Sequence, residues 1–190
     1  KLYDRADQVA FNLLNGWDSV RTPEVWQTRQ TESERALAAG IGSYFIGPKA
    51  YAGSEFTRAT MRGATYLGGR SIGERFEVAQ ELLRTERGDS LTYLYVPELD
   101  QRAHAYGSKS GQWVEKLEDL DLAVRQLTSS LQANVGVLLT ADHGIVDVAH
   151  RLHRDVVALG RGEHHQPAQG RADGYLELAI AERENPAPAV

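Results

Sequence analysis

A chain of 190 residues, 42% hydrophobic and 25% charged, has the composition of an ordinary globular protein and the length for one sizeable core. A net charge of -5 excludes a general nucleic-acid binder, which needs a basic face to neutralise a phosphate polymer, but leaves room for a small phosphate ester whose charge metal ions could balance locally. With no cysteine, disulfides, thiolate metal sites and cysteine nucleophiles are excluded, so any metal must be held by His, Asp and Glu.

In chain order, apolar residues Ala6, Val9, Ala10, Leu13 and Leu14 predict a helix over Asp4 to Leu14, ending at Asn15-Gly16. A Trp-bearing loop follows. Thr31-Glu32-Ser33-Glu34 opens a second helix with acidic residues where the macrodipole favours them, and Gly40 closes it. Ile41 to Ile46 reads as a strand stopped by Gly47-Pro48. Ala50 to Gly69 is rich in Gly, Thr and Arg and reads as a loop, with one short strand around Ala64 to Leu67.

Ser71 as N-cap and Glu74 at the capping-box position predict a helix to about Thr85. Leu91 to Val96, rich in aromatic and branched residues and stopped by Pro97, is a strand. Ser110 to Gln132 is an amphipathic helix with Trp113, Leu117, Leu120, Val124, Leu127 and Leu131 along one stripe. Val135 to Thr140, continuous and apolar, is a second buried strand. Strand, long helix and strand make a crossover unit, which places the carboxyl ends of both strands on the ligand-binding edge of a parallel sheet. From Arg161 onward periodicity is lost among Pro and Gly residues. The chain therefore divides into a domain over residues 1–160 and an irregular tail over residues 161–190.

Both strand ends carry potential ligands. Past the first stands Asp100-Gln101-Arg102-Ala103-His104, whose spacing lets the carboxylate and imidazole meet on one side of a helical turn. Past the second stands Asp142-His143-Gly144, where the glycine frees the backbone to turn. Either pair alone reads better as polar surface residues with a satisfied His than as a ligand set. Together, after consecutive strands, they favour a site for zinc or a similar divalent ion that accepts nitrogen and oxygen donors.

Tyr95 to Asp100 with His104 and Gly107, then Leu139 to Gly144 with Val146-Asp147-Val148, resemble the nucleotide pyrophosphatase/phosphodiesterase branch of the alkaline phosphatase superfamily. The resemblance extends upstream through the Gly53 to Gly63 loop, Pro23 to Gln27 and Gly16-Trp17-Asp18, and is closest to bacterial proteins of the alkaline phosphatase family. It implies an α/β fold, a mostly parallel sheet flanked by helices as in the C-terminal part of the alkaline phosphatase core. It also implies a two-metal hydrolase of phosphodiesters or pyrophosphates, with a small phosphate-ester or nucleotide substrate and two divalent ions, zinc by preference. Asp100 and His104 would then serve one metal with a later His, for which His164 is the candidate and His165 its neighbour. Asp142 and His143 would serve the other, with an upstream Asp and a Thr or Ser nucleophile that has no match in this sequence.

The nucleophile is accordingly expected upstream of Lys1, and the chain reads as processed or as part of a longer protein. Ser54, Thr57 and Thr60 are expected to shape their loop. His150 and His153 read as surface residues. Trp17, Trp26 and Trp113 read as packing aromatics, although Trp17 or Tyr106 could stack on a base. Arg58, Arg62 and Arg70 are scattered on a loop, more as solvated residues than as phosphate ligands. Glu98 is either a partner of the ligand set or an exposed turn carboxylate. A phosphomonoesterase or mutase of the same superfamily, or a non-catalytic metal-binding remnant, are the competing functions. The segment contains neither a membrane span nor a targeting signal, which favours a cytoplasmic location.

Overall fold

The computed structural model describes residues 2–5, 8–11, 22–145 and 176–182. Where a helix is expected over Asp4 to Leu14, the described residues form a hairpin of β1 (Leu2–Asp4) and antiparallel β2 (Val9–Phe11). Gln8 turns between them with φ 55°. The apolar residues at helical spacing are too few to outweigh pairing between two such short extended pieces.

Helix α1 (Pro23–Trp26) follows Thr22, and α2 (Glu32–Ala38) follows Thr31. The start of α2 is a capping box: the Glu34 amide donates to Thr31 Oγ1 at 3.1 Å, and the Thr31 amide donates to the Glu34 carboxylate at 2.8 Å. Thr31 Oγ1 also donates to the Arg62 carbonyl at 2.5 Å, tying this end to a distant loop. At the other end Gly40 adopts φ 77°, a left-handed conformation glycine supplies without a Cβ penalty.

Next come β3 (Gly42–Pro48), a short 3-10 turn (Lys49–Tyr51), α3 (Glu55–Thr60) and β4 (Thr65–Gly69). The expected loop thus contains a helix, capped by Ser54, as well as the expected strand. Then follow α4 (Ile72–Thr85), β5 (Ser90–Val96), α5 (Glu98–Tyr106), α6 (Gly111–Ser129) and β6 (Val135–Ala141). Ser71 and Ser110 cap α4 and α6 with their hydroxyl oxygens.

The expectation of an irregular tail fails for Leu176–Glu182, which forms β7. The rest of residues 161–190 lies outside the described residues.

The main sheet runs β4-β3-β5-β7-β6. β3 pairs in parallel with β4 and β5, while β7 is antiparallel to both β5 and β6. β5 and β6 therefore point the same way, as the crossover requires, but β7 lies between them. The sheet is mostly parallel, as expected. Its core is on one face, where Ile46, Leu94, Val96 and Ile180 meet Ile72, Phe76 and Ala79 of α4 and Leu120, Ala123 and Leu127 of α6. Each large aliphatic side chain fully buried there contributes roughly 1.5–3 kcal/mol. On the other face Phe45 is ringed by Tyr66, Tyr93 and Tyr95, with ring centroids at 5.1, 5.2 and 6.4 Å.

Two expectations of burial are corrected. β6 is an edge strand among the described residues, with Leu138 64% and Leu139 47% exposed. A continuous apolar run suits a strand covered on both faces, but coverage depends on neighbours that the run does not encode. On α6, Leu117 is exposed, and Ala123 enters the core beside Leu120 and Leu127.

Candidate functional site

The register of β7 aligns the two strand ends. Val96 of β5 and Ala141 of β6 both stand opposite Leu176, so the two ends are level and one strand apart. Two inter-strand spacings make that about 10 Å. Both Asp–His motifs therefore leave the sheet at the same edge, as their spacing predicts.

At the end of β5, Pro97 turns the chain directly into α5, with Glu98, Leu99 and Asp100 as its first turn. Leu99 and Ala103 fix this helix against the core, and Gly107 ends it with φ 89°. Asp100 is buried at 4% exposure, and His104 lies one turn later, 43% exposed, with Nε2 3.3 Å from Asp100 Oδ1. A nitrogen and an oxygen ligand at about 2.0–2.1 Å from a tetrahedral zinc stand about 3.3 Å apart. The observed separation fits such an edge, and the same geometry serves an ion pair when the imidazole is protonated.

At the end of β6, Asp142 and His143 occupy an exposed turn. His143 Nδ1 is 2.8 Å from the Gly144 carbonyl. A carbonyl can only accept, so in the neutral imidazole this contact places the proton on Nδ1 and leaves the Nε2 lone pair free, the tautomer a metal ligand needs. Positive-φ glycines among the described residues are Gly40, Gly63 and Gly107, so this turn is made without a left-handed conformation at Gly144.

The two pairs reach one edge without closing into one cluster: among the described residues no group of three or more His, Asp or Glu is placed to hold an ion. His164, with its neighbour His165, lies outside the described residues, as do Trp17, His150 and His153.

The hydroxyls of the loop after β3 are engaged in structure. Ser54 caps α3 and donates to Thr57 Oγ1 at 2.9 Å, Thr57 donates to the Tyr51 carbonyl at 2.9 Å, and Thr60 donates to the Phe56 carbonyl at 2.9 Å. Arg58 pairs with Glu24 at 2.8 Å and Arg62 with Glu34 at 3.2 Å, so neither is an idle cation awaiting a phosphate. The Arg70 amide donates to Glu74. Tyr106, a candidate for base stacking, has the Arg102 guanidinium over its ring at 5.7 Å. Trp113 packs against the core, as expected of a packing aromatic, while Trp26 is 40% exposed.

Arg75 escaped the sequence reading. It is fully buried, and its Nη2 donates to Glu98 Oε1 at 2.5 Å. The signal was present: Ile72, Arg75, Phe76 and Ala79 form the buried stripe of α4, and the arginine occupies a core position in it.

A mostly parallel five-stranded sheet flanked by helices, with Asp–His pairs past two parallel strand ends, is the architecture of an alkaline-phosphatase-like core. The family model for type I phosphodiesterase/nucleotide pyrophosphatase matches residues 1–182, and the chain belongs to that family. The human ectonucleotide pyrophosphatase/phosphodiesterase family member 7 is 29% identical over 151 residues, covering 75% of this chain and 32% of the relative. The chain thus spans about a third of the length of the curated relative it matches. No solved structure matches it. No helix among the described residues is long and apolar enough to cross a membrane.

Proposed function

We propose that this chain carries part of the metal site of a hydrolase acting on phosphodiester or pyrophosphate bonds of small, nucleotide-type substrates. The observation that carries the reading is the Asp100–His104 pair at zinc-edge separation, level with Asp142 and His143 across β7, in a chain of this family. Asp100 and His104 would hold one divalent ion, with His164 as the further candidate ligand, and Asp142 and His143 the other. Zinc suits the mixed nitrogen and oxygen donors. Two such ions supply charge to the attacking and leaving oxygens of phosphoryl transfer.

The chain's own residues fix where that charge sits. Burial holds the Asp100 carboxylate in one orientation beneath a solvent-facing imidazole. The Gly144 carbonyl sets the His143 tautomer. Ser54, Thr57 and Thr60 are committed to the loop and cap of α3, so none of the three is offered as the attacking hydroxyl.

The test compares two chains with zinc supplied. The 190-residue chain should bind zinc weakly and show negligible phosphodiesterase turnover. A longer natural chain containing it should hydrolyse nucleotide phosphodiesters and lose at least about 100-fold in kcat/KM on Asp100→Ala or His143→Ala. Unchanged bound zinc in both variants, measured by elemental analysis, would remove the metal reading. Zinc binding without turnover in the longer chain would favour a non-catalytic remnant.

A further inference from the structure

Arg75 makes an unusual commitment for a fully buried cation. Of its three guanidinium nitrogens, Nη2 reaches Glu98, while Nε and Nη1 are buried without a hydrogen-bond partner, as is Glu98 Oε2. Space is cleared for it: a Cβ at Gly69 would come within 2.7 Å of Arg75 Cγ and 2.8 Å of its backbone nitrogen. A core that needed only to be filled would be served better by an apolar side chain, since buried ion pairs seldom exceed a well-packed hydrophobic replacement in stability. The unsatisfied nitrogens therefore call for an explanation other than stability.

The location of Glu98 supplies one. It is the first residue of α5, whose N-terminus has no side-chain cap from Pro97, and it precedes Asp100 by two positions in the same turn. Residues two apart on a helix point about 200° away from each other. A tether on Glu98 therefore stops this turn from rotating about its axis, and that rotation is what would swing the Asp100 carboxylate away from His104. Leu99 anchors the turn against the core from a third direction.

We propose that Arg75 is a positioning residue for the Asp100–His104 pair, acting through Glu98 to set the direction in which that pair presents its donor atoms. This rests on the metal reading above and adds to it a residue from a different helix. The single bond made by Arg75 has a further consequence. A lysine, which keeps the positive charge on a single terminal nitrogen that can donate to Glu98, should reproduce the tether.

The experiment measures zinc affinity of the chain by competition with a chromogenic chelator, well below each variant's unfolding temperature. Arg75→Met and Glu98→Gln should each weaken zinc binding by about 10-fold or more, the usual effect of losing a group that orients a ligand. Arg75→Lys should restore affinity to within about threefold of the original. Phe76→Leu, on the same helix but outside the Arg75–Glu98 ion pair, should lower stability and leave zinc affinity unchanged. Asp100→Ala should lose the zinc outright. The inference is overturned if Arg75→Met and Glu98→Gln bind zinc like the parent while Asp100→Ala does not, if lysine fails to restore affinity, or if Phe76→Leu weakens zinc equally. A parent chain that binds no zinc would overturn the metal reading and this inference together.

Discussion

β5 runs through the middle of the sheet, with Leu94 and Val96 almost fully buried and a hydrogen-bonded neighbour on each side, and it delivers its Asp–His pair on a helix packed against the core. β6 runs along the edge, with Leu138 and Leu139 open, and delivers its pair on an exposed turn. The two halves of the candidate site have matching chemistry and opposite mechanical support. The α5 half is organised by the described fold itself. The β6 half stands level with it but is exposed among the described residues, so its precision depends on whatever is bound or packed against it.

The largest expected effect separates the two strands directly. Leu94→Ala should destabilise the chain by about 2–5 kcal/mol, because it removes a side chain from the closed core. Leu138→Ala, exposed on β6, should stay within about 0.5 kcal/mol. Denaturant unfolding of both variants checks the pair, and similar losses would break the distinction between the two strands. Without mutation, amide hydrogen exchange should be slower at Thr92 and Leu94 than at the β6 positions by at least about tenfold, reflecting local opening at the edge.

A smaller effect tests how the supported half is assembled. Thr31 both caps α2 and holds the Arg62 carbonyl, so Thr31→Ala should cost about 1.5–2 kcal/mol, toward the upper part of the range for N-caps. Thr31→Ser should recover most of that in thermal unfolding.

The smallest expected effect is in pH, and it also falls on the β3 and β4 side. The Thr31 amide, helped by Arg62, lowers the pKa of Glu34, and the Tyr44 hydroxyl with the Arg87 and Gly88 amides lowers that of Glu86. Both carboxylates favour the folded state when ionised, so their contribution is present above the ordinary value of 4.5 and lost as pH falls through the lowered values. Burial pushes the Tyr66 phenol up to about 12 from 10.0, so its neutral form is favoured and its contribution fades as pH rises through that window. Stability against pH should therefore decline at both extremes. Tyr66→Phe should flatten the alkaline side, and an unchanged alkaline slope would count against it.

What the sequence disclosed follows from how local each signal is. The Ser71 cap of α4, the starts of α2 and α6, the strand β5 and the i, i+4 meeting of Asp100 and His104 are set within a few residues, and they stand as expected. Helix α3 was hidden because six residues are too few to show a period. β7 was hidden because Leu, Glu and Ala, which dominate Leu176–Glu182, are helix formers; partners far away in sequence make it a strand. The exposure of β6 and the role of Arg75 were unreadable for a related reason. An apolar run does not state what covers it, and a lone arginine in a stripe does not name its partner.

The position of β7 also bears on the order in which the molecule can be made. Ser90 at the start of β5 pairs with Glu182 at the end of β7, and among the described residues β6 joins the rest of the sheet only through β7. While the chain leaves the ribosome, the parallel ladder β4-β3-β5 can form as soon as Val96 has emerged, since its strands and α4 all precede that point, and α6 and β7 add their contacts later. β6 must wait, with its leucines open, until a strand from much later in the sequence arrives to bridge it. Such late, non-local closure slows folding and leaves an unpaired edge exposed in the interval. The nascent chain therefore passes through a period in which one half of its candidate ligand set is formed and the other has no sheet to stand on.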